Sequence, residues 1–234
     1  MLNLRPGDTN AVMDLRYQEL CHRLNHFRVG IHAMREPPVP ETILVLEALS
    51  MYLHMSLDDI KLLQQWIEHS QSRQAVWHAG QVLAAAKSFP PRKLSGFFAI
   101  TVFYSSLACW AYGLISRFKS VRDQQDVGTT APDDVSVSLQ QQQTQRPRLD
   151  GDETPDVQRF VVLGRGSPVI AQADDASEPT ELTRLSEPEA VMTVVLSVLK
   201  KNFRHMDGEA LPPLVENLVQ LLQDLSVAAG SVGH

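Results

Sequence analysis

Residues 94 to 116 read LSGFFAITVFYSSLACWAYGLIS, with Lys93 before, Arg117 after and no charged residue between. A single bilayer-crossing helix needs roughly 20 mostly apolar residues, so this stretch is long enough to span. It leaves two architectures open, a membrane span or a helix buried in a soluble helical domain. Fourteen of its 23 residues are apolar, seven are Ser, Thr or Tyr, and two are Gly. Polar residues of that kind erode the free energy of insertion. Both flanks are basic, Arg92 and Lys93 on one side and Arg117, Lys119 and Arg122 on the other, so charge bias sets no orientation. Every neighbouring helical segment is amphipathic and needs an apolar partner to cover its stripe. We therefore read 94 to 116 as a central core helix. A single-span membrane protein with soluble helical ends is the alternative. In the core, its tyrosines and Trp110 require buried hydrogen-bond partners.

The amphipathic neighbours follow from spacing. Met13, Tyr17, Leu20, Leu24 and Phe27, with Cys21 on the same stripe, predict a helix from about Asn10 to His32. Three prolines in REPPVPE end it. A second helix fits 41 to 55, and a third begins at SLDD, where Ser56 can cap and Asp58 and Asp59 suit the helix N-terminus. After EHSQSRQ the pattern resumes with Trp77, Val82, Leu83 and Ala86 and closes at SFPPRK. Further on, Thr154 can cap a short helix with Pro155 at its first position and Gly164 at its stop; a short strand at 160 to 163 competes. SEPE, residues 186 to 189, reads as a capping box for a helix ending in Lys200, Lys201, Arg204 and His205 before Gly208. Leu211, Leu214, Val215, Leu218, Leu221, Leu222 and Leu225 stripe the last helix, beyond which AAGSVGH should fray. No strand stands out, so the expected class is all-α: a multi-helix bundle with long flexible loops.

Composition divides the chain. Residues 120 to 147 are polar, glutamine-rich and poor in large aliphatics, so burial cannot offset the entropy of ordering them, and they read as a linker or loop. Residues 171 to 190 carry six carboxylates against one arginine, a second solvated segment. The expected organisation is a helical core part over 1–119, the linker over 120–147, a helical part over 148–229 that packs on the same domain, and a disordered tail over 230–234. With 234 residues the chain can bury a core without covalent staples. Its net charge of −6 gives no global attraction to nucleic acid. The two cysteines, Cys21 and Cys109, sit far apart in apolar surroundings and read as small buried hydrophobes of a reducing compartment. MLNLRPGDTN lacks the basic flank and apolar core of a signal peptide.

Chemistry-bearing motifs are sparse. His22 and His26 in CHRLNH stand four apart and could face one metal, but only Cys21 is near as a third ligand and no H-E-x-x-H pattern exists; they read as an exposed polar face. GRGSP, residues 164 to 168, suggests a phosphate cradle yet lacks a third glycine and the strand-then-helix setting, so it reads as a turn. Asp150, Asp152, Glu153 and Asp156 cluster without EF-hand spacing and read as caps and solvated charges. There is no G-x-S-x-G elbow. Two cysteines 88 residues apart can build neither a six-cysteine zinc cluster nor a two-cysteine, two-histidine finger. The chain is accordingly expected to be no enzyme, with no catalytic, cofactor-binding or metal-binding residues assigned. An enzyme would need a polar pocket joining the histidines of the first half to the carboxylates around 150 to 156.

Five stretches in order carry a resemblance: WHAGQVLAAAKSFPP (77 to 91), SLACWAYGLISR (106 to 117), RLDGDETPDVQRFVVLGRGSPVI (148 to 170), LSEPEAVM (185 to 192) and LPPLVENLVQLLQDLSVAA (211 to 229). Together they resemble the later part of the fungal-specific transcription factor domain, the middle homology or xylanolytic activator regulatory region of fungal zinc-finger activators. The resemblance covers most of the chain from about residue 40 and rests on order and spacing. It implies an all-α regulatory region in the nucleus, controlling transcription by RNA polymerase II through protein partners, an intramolecular DNA-binding region or a small inducer. It implies zinc only in finger modules upstream, and no direct nucleic-acid contact from these residues. The first part of the family's domain is also missing, which would leave apolar faces open to a partner.

Overall fold

The computed structural model describes residues 6–55, 69–126, 145–172, 181–203 and 211–231. Among the described residues the protein is all-α apart from one two-stranded sheet. Its helices are α1 (Pro6–His32), α2 (Pro40–His54), α3 (Ser70–Lys87), α4 (Phe97–Asp126), α5 (Pro155–Leu163), α6 (Pro188–Asn202) and α7 (Pro213–Ser231). The strands β1 (Val169–Ala171) and β2 (Leu182–Arg184) pair antiparallel between α5 and α6, with Ile170 opposite Thr183. The helix expected from Ser56 lies outside the described residues, as does most of the glutamine-rich segment.

Local chemistry sets several boundaries. Prolines open α2, α5 and α6, where the missing N–H has no helical partner to lose. Thr154 caps α5 by accepting from the Val157 N–H, and Gly164 closes it in the left-handed conformation at φ 69°, so helix and not strand occupies 160 to 163. Two expectations are corrected. The SEPE capping box does not form: Glu187 is the N-cap and no side chain caps α6. The expected absence of strands fails at 169–171 and 182–184, within a region read in part as solvated. All three residues of β1 are buried, and Leu149 N–H donates to Val169 O at 2.9 Å, so the preceding loop runs alongside it. Two boundaries also move. The helix α4 continues to Asp126, past residue 120, and α7 continues to Ser231, past residue 229.

The apolar segment forms most of α4. Phe97–Ser120 is long and apolar enough to cross a membrane by length and composition, and 56 % of its apolar window is buried inside the protein. It shares the centre with α3, which touches α2, α4, α5 and α6 and buries 12 of its 18 residues. Val76, Leu83, Val102, Cys109, Phe160, Met192, Leu199 and Leu222 belong to one continuous core drawn from both sides of the glutamine-rich segment. Two helix glycines let the later half approach. A Cβ on Gly80 would stand 2.6 Å from Leu149 O, and one on Gly113 would overlap Leu185 O. The polar residues of α4 are satisfied locally: Thr101 and Ser105 hydroxyls donate to the carbonyls of Phe97 and Thr101, each at 2.9 Å. The required partner for Trp110 is not found, since its Nε1 and that of Trp77 are buried with no acceptor among the described residues.

Candidate functional site

Two concavities bring polar groups together. The first lies where α1, α2 and α3 meet. On α1, Tyr17, Cys21, Leu24 and Arg28 recur at helical spacing and line or face a cleft of about 400 Å³. On α2, Glu47, Ser50 and His54 share a face, while α3 contributes Trp77 and His78. The segment before α5 adds Glu153.

Glu47 anchors this cluster at 1 % exposure. A carboxylate can only accept, so His78 Nδ1 donates to its Oε2 at 2.6 Å, and the Arg28 guanidinium forms an ion pair with it, Nε 3.2 Å from Oε1. The Arg28 guanidinium also lies 3.9 Å from the centroid of Trp77, over the electron-rich face of the indole, and 4.0 Å from Glu153. His54 stacks on His78, the rings parallel within 4° and 5.6 Å apart. Its Nδ1 is 2.7 Å from the Tyr17 hydroxyl. Burial, reinforced by the neighbouring His78, pushes His54 down to about 4, while burial and then Cys21 push Tyr17 up to about 12. At neutral pH, Tyr17 is therefore a phenol donating to a neutral imidazole. The hydrogen bond assigns the remaining ring proton of His54 to Nε2.

The second concavity, of about 570 Å³, lies between α3, α4, the loop after α5 and the turn after β2. Arg73, Lys119 and Arg165 supply its charge, and Ser116, Ser167 and Ser186 supply hydroxyls. No carboxylate lines it among the described residues. The Arg73 guanidinium also holds the end of α5, donating from Nε to Val161 O and from Nη2 to Val162 O, both at 3.0 Å.

The motifs singled out by sequence part company here. His22 lines the first cleft, whereas His26 is exposed and outside its lining. Among the described residues no three His, Cys, Asp or Glu side chains converge as a metal site. The carboxylate cluster is dispersed. Asp150 is not solvated: it is 6 % exposed, meets Lys87 Nζ at 2.6 Å and Arg148 Nε at 3.1 Å, and accepts the Ala171 N–H. Asp156 pairs with Arg159 on the surface, and Glu153 alone reaches the cleft. GRGSP is the loop that follows α5, bent at Gly166, and it forms one wall of the basic concavity.

Sequence reading missed Glu47, His54, His78 and Arg73. For Glu47, His54 and His78 a signal existed: each is a polar residue set among apolar ones at core spacing, as Glu47 is among Leu44, Ala48 and Met51, whereas Arg73 sits in the polar run Ser70, Gln71, Ser72 and Gln74. What spacing could not give is which of these polar residues meet, because their partners come from other helices. Comparison of the chain with protein-family models, curated proteins and solved structures finds no match to any of them.

Proposed function

We propose that this chain is a helical regulatory module of the fungal transcription-factor kind, acting in the nucleus on RNA polymerase II transcription through protein contact and without reading DNA itself. The observation that carries this reading is the state of the stripe on α1. Met13, Tyr17, Leu20, Leu24, Phe27 and Ile31 alternate steps of four and three, the spacing of a helix–helix seam. One half of the seam, Tyr17, Leu24 and Ile31, is partly or fully buried. The other half stays open, with Met13 61 %, Leu20 51 % and Phe27 54 % exposed. The stripe of α7 is divided as well, with Val215, Leu218 and Leu222 in the core and Leu214 and Leu221 39 % and 49 % exposed. Heptad spacing fits one kind of occupant, an amphipathic helix of a partner protein laid along α1.

The test tethers the chain to a heterologous DNA-binding domain beside a reporter. Leu20→Asp with Phe27→Asp should change reporter output while leaving the unfolding free energy within the small range of surface substitutions, about 0.5 kcal/mol. Leu218→Asp should unfold the protein. Loss of helicity in the α1 variant would make its stripe core, and unchanged output from a folded variant would remove the docking face.

A second reading draws on the cleft that holds His22, His54 and His78 together with Glu153. In that reading the Nε2–H of neutral His54 donates a hydrogen bond to a bound substrate. Turnover of p-nitrophenyl acetate or phosphate that His54→Gln abolishes would favour it over the regulatory reading.

A further inference from the structure

Two helices leave a row of apolar side chains uncovered, and the two rows match. On α1, Met13, Leu20 and Phe27 stand seven apart and exposed, with Arg16 and Arg23 exposed between them. On α7, Leu214 and Leu221 stand seven apart and exposed, with Glu216 and Asp224 exposed beside them. A step of seven residues is close to two helical turns, so each row runs along one side of its helix. The charges beside the rows are opposite in sign. α7 carries two carboxylates and no basic residue, whereas α1 sets an arginine in each gap of its apolar row. These charges are open to a new partner. Arg16, Glu216 and Asp224 enter no ion pair among the described residues, and Asp224 meets the neutral amide of Gln220 at 2.9 Å. Arg23 pairs with Glu19 one turn away, but at 72 % and 53 % side-chain exposure that pair is already screened by water. Within one chain α1 packs on α2, and α7 packs on α4 and α6, so both rows stay open to solvent.

We infer that the helix laid along α1 is α7 of a second copy of this chain. The inference rests on the reading of α1 as a docking face and names the partner of that face. Antiparallel pairing gives one register that satisfies both rows. With Leu20 against Leu221 of the second copy, Phe27 falls against Leu214, because both rows step by seven. The same register brings Arg16 within one residue of the level of Asp224, and Arg23 within two residues of Glu216, about 3 Å along the axis. The sides agree too. At 100° per residue, Arg16 and Arg23 flank the α1 row on the same hand as Glu216 and Asp224 flank the α7 row. Antiparallel helices bring equal hands together, so apolar residues meet apolar residues and arginines meet carboxylates; parallel pairing would part them. Each copy offers one face of each kind, so the contact is heterologous. It closes when two copies dock reciprocally or when several form a ring.

The experiment follows the mass of the full chain by light scattering and sedimentation as its concentration rises. A contact between two helices is small for a protein interface, so association is expected over about 1 to 100 μM. It would appear as a mass rising above 26.1 kDa. Arg16→Glu with Arg23→Glu gives α1 the sign of α7, and Glu216→Arg with Asp224→Arg gives α7 the sign of α1. All four residues are exposed, so both variants should keep the helicity of the wild type. Each variant alone should associate at least about tenfold more weakly, since like charges then face each other. Mixed in equal amounts the two should associate again, because the reversed α1 of one fits the reversed α7 of the other. A wild type that stays at 26.1 kDa throughout, variants that associate undiminished, or a mixture that stays monomeric would each overturn the assignment. The docking face itself fails separately, through unchanged reporter output from Leu20→Asp with Phe27→Asp. A monomeric wild type whose reporter output those substitutions do change would mean that α1 receives a helix of a different protein, and the second copy would be ruled out.

Discussion

Glu47 is the residue on which the first three helices agree. Removing a carboxylate from water is costly, and the structure offsets that cost with an imidazole and a guanidinium instead of with solvent. Beyond His78 lies His54, and its titration gives a sharp expectation. The folded protein holds His54 at about 4 against an ordinary 6.5, so between those values the unfolded chain binds a proton that the folded chain does not. Stability then rises with pH across this window: the contribution is complete above 6.5 and is lost as pH falls toward 4. The groups facing the ring are Tyr17 and His78, with Cys21 behind Tyr17. Melting midpoints measured from pH 7 to pH 4 should fall more steeply for the wild type than for His54→Gln. Carboxylates titrate alike in both, so parallel curves would mean that His54 protonates freely in the folded protein. None of this could be read from one dimension. Sequence marked His22 and His26 as neighbours on one helix, but the buried polar cluster is assembled from Tyr17, His54, His78 and Glu47, which lie on three helices.

At the scale of elements, what was legible is what is local. Thr154, Pro155 and Gly164 bracket α5 because a cap, a fixed φ and a left-handed stop act within a few residues. The sheet was not legible, since three-residue strands take their stability from a partner thirteen or so residues away and from burial under other elements. Ser186 failed as a cap because the turn it belongs to is drawn onto α4, where Leu185 O occupies the space a side chain on Gly113 would need. Two glycine substitutions separate this packing effect from helix propensity. Gly30 lies in α1, and a Cβ added there would meet nothing within 4 Å, so Gly30→Ala should stabilise by up to about 1 kcal/mol. Gly113→Ala gains the same propensity yet drives a methyl into a carbonyl oxygen, and should destabilise by about 3 kcal/mol. Urea unfolding of both variants checks the pair. If Gly113→Ala were also stabilising, the approach of the turn to α4 would be wrong.

For the whole molecule the open question is the one posed by residues 94 to 116. Length and apolarity alone satisfied both architectures, because a helix buried by protein and a helix buried by lipid pass the same compositional test. What distinguishes them is the company α4 keeps. It touches α2 and α3 on one side of the chain's midpoint and α6 and α7 on the other, and Arg117 beyond its apolar run pairs with Glu189 of α6 at 3.0 Å. Those neighbours carry their own apolar stripes, Val76 and Leu83 on α3, Val195 and Leu199 on α6, which need α4 as much as it needs them. Moving α4 into a bilayer would expose these stripes to water, an uncovering that costs roughly 25 cal/mol for each Å². The side of α4 that protein leaves open carries exposed Phe97, Tyr104 and Phe118, with Lys119 and Ser120 exposed at its end. The expected outcome is therefore that carbonate at about pH 11 releases the chain from cell membranes into the supernatant, while an integral span stays in the pellet. A 26.1 kDa chain retained in the alkali-resistant pellet would mean that α4 leaves this core in the cell.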